Sequence, residues 1–220
     1  MIINTNTVKW FNASYAILTE INKWDYNRFG GLPANEETKA EIRGYLDDWW
    51  GVTDRESADE TVEWLLTEGH RIGFAEDMRS MEEDGIEDIP EDQRAAFLLD
   101  NYDMDEDTAK FRVKLYPFYE KYGDHAIDGW DYCRTLNLAG FYYIAGYYTE
   151  QEALDLSMET AEKVQKVFES WDELVESYMR GYEYWMNKSA DKRRAVYADL
   201  KTRRDNPYAV DYMLVMTKSW

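Results

Sequence analysis

Prolines stand only at positions 33, 90, 117 and 207, so residues 118–206 form one proline-free tract. Proline breaks helix interiors, and this tract also lacks any alternating apolar run closed by a hairpin turn, so long helices are its natural fold. Helical periodicity is present before the tract as well. Trp10, Phe11, Tyr15, Leu18, Ile21 and Trp24 recur at three- and four-residue steps over 10–24. Ile42, Tyr45, Leu46 and Trp49 do so over 36–50, and FGGLPAN between them reads as a turn. The chain is expected to be all-α: a single compact multi-helix domain, 1–220, of about nine or ten helices. These are expected at 9–25, 36–50, 54–68, 72–82, 91–101, 106–121 with a kink or break near Pro117, 127–146, 150–169, 171–187 and 190–204.

Three helix starts carry the pattern of a capping box, in which a Ser or Thr accepts the third helical N–H while a Glu reaches back. They are Thr53 with Glu56, Thr149 with Glu152, and Ser170 with Glu173. Gly69 is placed to end the helix begun at Thr53 in the left-handed conformation. His70 follows it directly, where an imidazolium would suit the negative end of that helix.

Composition sets the class of partner. The chain has 220 residues, 45% of them apolar, and a chain of that size buries about 70% of the surface its unfolded form exposes. Its formal net charge is −20, which argues against nucleic acid, because phosphate binding needs a basic face, and against anionic membranes. The longest uncharged run, Thr135 to Thr149, is too short and too polar to span a bilayer. The N-terminus lacks the basic start, apolar block and cleavage site of an export signal, and Cys133 is the single cysteine. A reducing cytoplasm is the expected location.

The charge is uneven. Residues 76–107 hold 14 acidic and 2 basic side chains, whereas 188–206 hold 7 basic and 3 acidic ones, so the basic helix is placed to neutralise part of the acidic segment. Within MEEDGIEDIPEDQ, seven carboxylates occupy 13 positions without a basic residue. Glu82, Glu83, Asp84, Glu87 and Asp88 are the candidate contacts for a basic protein partner, since a field of this sign speeds association with a cationic surface.

The stretch 130–146, WDYCRTLNLAGFYYIAG, carries two charges, Asp131 and Arg134. On a helical wheel Trp130, Cys133, Arg134, Asn137, Phe141 and Ile144 share one stripe, with Asp131 at its rim. A buried guanidinium needs acceptors; Asp131 at i,i+3 is one candidate and helix C-terminal carbonyls are another. The arrangement reads either as a polar strut fixing helix register or as a site joining His70, Asp131 and Arg134, with histidine as acid or base and arginine as anion binder.

Other motifs are weaker. Cys133 lies mid-helix with no histidine motif beside it, as a small buried hydrophobe would. Asp103, Asp105 and Asp107 resemble the start of a calcium loop, but Thr108 and Lys114 stand where Gly and Glu are required. Two histidines and one cysteine make a poor zinc set, and no phosphate-binding glycine loop or Gly-x-Ser-x-Gly is present, so neither metal nor cofactor is expected. Tyr178, Tyr182 and Trp185 have the spacing of core residues, a sugar or base platform being the alternative.

The segments WWGVTDRESADETVEWLLTEGHR at 49–71, GWDYCRTLNLAGFYYIAGYYTEQEALDL at 129–156 and FESWDELVESYMRGYEYW at 168–185 together resemble the bacterial family catalogued as domain of unknown function 1266. The resemblance covers a family-like core of about 40–190, leaving a basic helix and C-terminal tail at 188–220. In that tail Asn206, Pro207 and Tyr208 stand where the family would have Ser-Pro-Trp. It implies an all-helical bacterial cytoplasmic domain whose signature positions are Trp50, Gly51, Gly69, His70, Trp130, Asp131, Arg134, Gly146, Trp171 and Gly181. It implies no activity.

Three functions are therefore expected to compete. The first is an acidic cytoplasmic binding module, immunity-type or regulatory, for a basic protein. The second is a small-molecule or anion site, or an enzyme, built on His70, Asp131 and Arg134. The third is a structural oligomer subunit whose aromatic excess supplies the interface. The absence of a catalytic signature tilts the sequence away from an enzyme.

Overall fold

The computed structural model describes residues 5–218 and 220, which form one all-helical domain with no strand among the described residues. The helices are α1 (Asn6–Ser14), α2 (Ala16–Ile21), α3 (Glu36–Trp50), α4 (Arg55–Thr67), α5 (Gly69–Glu83), α6 (Glu91–Asn101), α7 (Glu106–Tyr122), α8 (Asp128–Ala145), α9 (Glu150–Val167), α10 (Trp171–Met186) and α11 (Asp191–Thr202). Short 3₁₀ turns lie at Ile86–Asp88, Gly123–His125 and Pro207–Ala209.

The organising element is α8, the helix of the nearly uncharged stretch. It packs against α1, α3, α4, α5, α9 and α10, and all but Tyr132 and Tyr143 of its residues are buried. In a chain this charged, only a segment so poor in charge can be enclosed on every side without a large desolvation cost. The approach of α10 is close because Gly181 faces Trp130: a Cβ there would lie 2.1 Å from the Trp130 Cβ. A satellite core under α5, α6 and α7 gathers Phe74, Met78, Met81, Leu98, Leu115 and Tyr116. After α11 the chain returns over α1 and α10, where the indole N–H groups of Trp10 and Trp171 donate to the carbonyls of Tyr212 and Val210 at 2.8 and 2.9 Å.

Several expectations need correction. The first helix is two, broken at Tyr15 (φ −120°, ψ 15°). There the Ser14 hydroxyl donates to the Phe11 carbonyl at 2.6 Å and Tyr15 Oη donates to Asn12 Oδ1 at 2.8 Å, local bonds that compete with helix continuation. Pro117 lies inside α7, which runs through it. The cap of α4 is Asp54, not Thr53. Its carboxylate accepts the Ser57 N–H at 2.9 Å, and Ser57 Oγ accepts the Asp54 N–H at 3.2 Å, so the stronger capping residue wins by one position. Ser170 caps α10, but Glu173 reaches back to the Glu169 N–H and not to that of Ser170.

The box at Thr149 is as read: Thr149 Oγ1 accepts the Glu152 N–H at 3.2 Å and Glu152 accepts the Thr149 N–H at 2.7 Å. Thr149→Ala is expected to cost about 1 kcal/mol, measured as a lower urea midpoint at unchanged slope.

Among the described residues, the ion pairs of the basic helix α11 and of Arg203 just past its end do not reach the acidic segment. Arg194 pairs with Glu176 and Lys201 with Asp172, both on α10, and Arg203 pairs with Glu20 on α2. No helix of the described residues is long and apolar enough to cross a membrane.

Candidate functional site

The junction of α4 and α5 positions the site. Helix α4 ends at Thr67, and Gly69 turns the chain with φ +64° so that α5 starts at once. The start of α5 meets Asp131, in the first turn of α8, so closely that a Cβ on Gly69 would lie 2.3 Å from Asp131 Oδ2. Only glycine combines that backbone angle with that approach.

Asp131 is wholly buried, not at a rim. Its Oδ1 accepts the His70 backbone N–H at 3.0 Å and lies 2.7 Å from His70 Nδ1. Its Oδ2 accepts the Arg71 backbone N–H at 3.1 Å and lies 3.4 Å from the Arg71 guanidinium. The carboxylate is thus placed against the positive end of α5, as a helix N-terminus favours. Arg71 also donates to the carbonyls of Leu65 and Leu66 at 2.7 and 2.8 Å, closing the exposed end of α4. The end of α4 is thus closed by Arg71, and no helix-end carbonyl accepts from Arg134 among the described residues.

His70 does not cap the C-terminal end of α4. It stands in the first turn of α5 with its ring held by Asp131. With Nδ1 turned to Asp131 at 2.7 Å, Nε2 is the ring nitrogen outside that contact.

Arg134 is not paired with Asp131, whose oxygens are engaged by α5 donors. It lies one turn further along α8, 7% exposed, with its guanidinium carbon 5.0 Å from the Trp50 ring centre and 5.5 Å from that of Trp130. Its Nε–H is buried and has no acceptor among the described residues. The buried indole N–H groups of Trp50 and Trp130 share that condition.

These residues wall one cavity of about 220 Å³. Trp49 and Trp50 reach it from the end of α3, Trp64 from α4, His70 from α5, Trp130 and Arg134 from α8, and Trp185 from the end of α10. The His70 ring stands edge-on to Trp64, Trp130 and Trp185 at 5.0, 6.0 and 6.4 Å, with interplanar angles of 68°, 76° and 80°. Trp130 and Trp185 lie 5.6 Å apart. Trp49, Trp64 and Trp185 are exposed at the mouth; Trp49, assigned to a buried face by periodicity, is 62% exposed.

The structure thus brings His70, Asp131 and Arg134 to one place, His70 and Asp131 in direct contact and Arg134 across the cavity wall. Sequence reasoning missed Arg71, although it stands beside His70 in the GHR of 69–71, and it missed Trp49 and Trp64 as walls. The Trp49-Trp50 doublet just before a helix-ending glycine was the available signal.

The other candidates lie elsewhere. Glu82, Glu83, Asp84, Glu87 and Asp88 are all exposed, and Glu82, Asp84 and Glu87 accept the hydroxyls of Tyr119, Tyr102 and Tyr116 at 3.3, 2.6 and 3.1 Å. Cys133 is buried, and burial pushes its thiol well above the ordinary range, which keeps it from acting as a thiolate. Asp105 caps α7 by accepting the Thr108 N–H at 2.7 Å. Tyr178 is core, Tyr182 is half-buried, and Trp185 belongs to the cavity.

An all-helical domain with a tryptophan-walled cavity and a buried arginine in its wall is the class that fold and site define. The chain belongs to the family described as Protein of unknown function (DUF1266), whose model matches residues 45–212 and so takes in every wall residue of the cavity. The match runs beyond α11 to Tyr212, which lies among the tail residues that pack on Trp10 and Trp171. No curated protein and no solved structure matches the chain.

Proposed function

We propose that the protein binds a small anionic ligand in the tryptophan-walled cavity, with Arg134 supplying the charge. The observation that carries this reading is the buried Arg134 Nε–H without an acceptor, in the wall of a cavity. An ion held away from water costs several kcal/mol unless a partner compensates it, and the stacked indoles return only about 0.5–2 kcal/mol. A ligand acceptor completes the arrangement. The single buried thiol, Cys133, is in keeping with a reducing, cytoplasmic setting.

The test is Arg134→Met, which keeps the volume and removes the charge. Its melting temperature is expected to equal or exceed that of the wild type, because replacing a buried ion by an apolar side chain is commonly neutral or stabilising. In a thermal-shift series with monocarboxylates and inorganic phosphate, the wild type is expected to gain stability and the variant not. At 100 times Kd a ligand adds about 2.7 kcal/mol, at roughly 2–4 °C per kcal/mol for a chain of this size. A variant that loses about 3 kcal/mol, with no anion effect in the wild type, would make Arg134 a structural strut.

The second reading, a face for a basic protein, keeps the density of carboxylates at 81–93 as its motive. The pocket is preferred because Arg134 offers a buried N–H without an acceptor among the described residues, whereas the five candidate carboxylates are all exposed and three of them accept tyrosine hydroxyls.

A further inference from the structure

We infer that the ligand is a planar, single-ring monocarboxylate, an inference that rests on the anion reading and narrows it. Size gives the first limit. A cavity of about 150 Å³ lined by apolar side chains takes up benzene, so about 220 Å³ holds one six-membered ring with a carboxylate, whereas most of a nucleotide or a disaccharide would stand outside the mouth.

Charge gives the second. Arg71 and Asp131 lie against one another and cancel, which leaves Arg134 as the uncompensated charge in the wall and one negative charge as its complement. A cationic ligand, otherwise suited to indole walls, would meet the buried guanidinium.

Hydrogen bonding gives the third. The unpartnered buried atoms of the wall are N–H donors, on Arg134, Trp50 and Trp130, and the carboxylate of Asp131 is already engaged by four donors. A carboxylate is acceptor-only and matches them, whereas the hydroxyls of a sugar would bring donors with few acceptors to receive them. Flat walls complete the case: indoles and an imidazole set steeply to one another favour an aromatic ring, which gains from stacked and edge-on contacts beyond its buried area.

Isothermal titration of the full chain with benzoate, cyclohexanecarboxylate, acetate, inorganic phosphate and benzyltrimethylammonium tests this. Benzoate is expected to bind at least tenfold tighter than acetate or phosphate and severalfold tighter than the puckered cyclohexanecarboxylate. Arg134→Met should weaken benzoate at least tenfold. Trp185→Leu, at a position 42% exposed, should keep the far-ultraviolet spectrum of the wild type and weaken benzoate severalfold more than acetate. Acetate or phosphate binding as tightly as benzoate through Arg134 would overturn the aromatic-acid inference while the anion site stands. No binding of any anion, or tightest binding of benzyltrimethylammonium, would overturn the anion site itself.

Discussion

Asp131→Ala is expected to cost about 3–5 kcal/mol, the loss that follows when one partner of a buried charge pair is removed. The magnitude follows from what the carboxylate holds. Two backbone N–H groups at the start of α5, the His70 imidazole and the Arg71 guanidinium all converge on it, and it is wholly buried. Without it, Arg71 keeps the carbonyls of Leu65 and Leu66 but loses the carboxylate it touches, and Asp128 is left as the counter-charge nearby. The α4–α5 junction and α8 lose their common tie. Asp131→Asn keeps the shape and one acceptor oxygen, so it should recover part of the loss. Urea denaturation of both variants measures the difference, and an alanine variant within about 1 kcal/mol of the wild type would show that the pair behaves as an exposed one.

The second large effect lies at Glu183 on α10, also wholly buried. It accepts from Lys114 at 2.9 Å, from Arg180 at 3.0 Å and from the Ala190 N–H at 3.0 Å, and so joins α7, α10 and the start of α11. Burial pushes its carboxyl up, but the Ala190 N–H together with Lys114 and Arg180 outweighs burial and holds it below the usual glutamate range. A carboxyl lowered by folding contributes stability that is complete above its unfolded value, about 4.3, and is lost as pH falls through the lower folded value. Glu183→Ala is expected to cost about 3–5 kcal/mol at pH 7. Glu183→Gln should lose less and should lack this part of the acid slope, so stability curves of wild type and variant should converge below about pH 4. Parallel curves across that range would remove Glu183 as their cause.

Much of the fold was legible because helix periodicity and caps are local. Ranges such as 36–50, 91–101 and 171–187 agree with the helices to within a residue, and the Thr149 box is formed as read. The first helix failed because its break depends on Tyr15, whose hydroxyl also accepts the Gly30 N–H from a distant loop. In the site, the identities of His70, Asp131 and Arg134 were legible as polar groups at odds with their surroundings. Their pairing was not. Spacing offered Asp131 to Arg134, but three residues apart on α8 they are separated by use: α5, 60 positions away in sequence, delivers four donors to Asp131 first. The walls were hidden for a related reason, since Trp49 and Trp185 lie on different helices and acquire meaning only when α3 and α10 end at the same place.

Five of the chain's nine tryptophans, Trp49, Trp50, Trp64, Trp130 and Trp185, stand around a single cavity. The protein's intrinsic optical signal is therefore weighted toward one place in the molecule. Trp130 and Trp185, with ring centres 5.6 Å apart and inclined by 32°, are close enough for their near-ultraviolet transitions to couple, and the His70 ring centre lies 5.0 Å from that of Trp64. Emission and near-ultraviolet dichroism thus draw a large share from the geometry of this one place, beside that of the Trp10–Trp171 pair at 4.9 Å, while the far-ultraviolet band reports the helices that carry it.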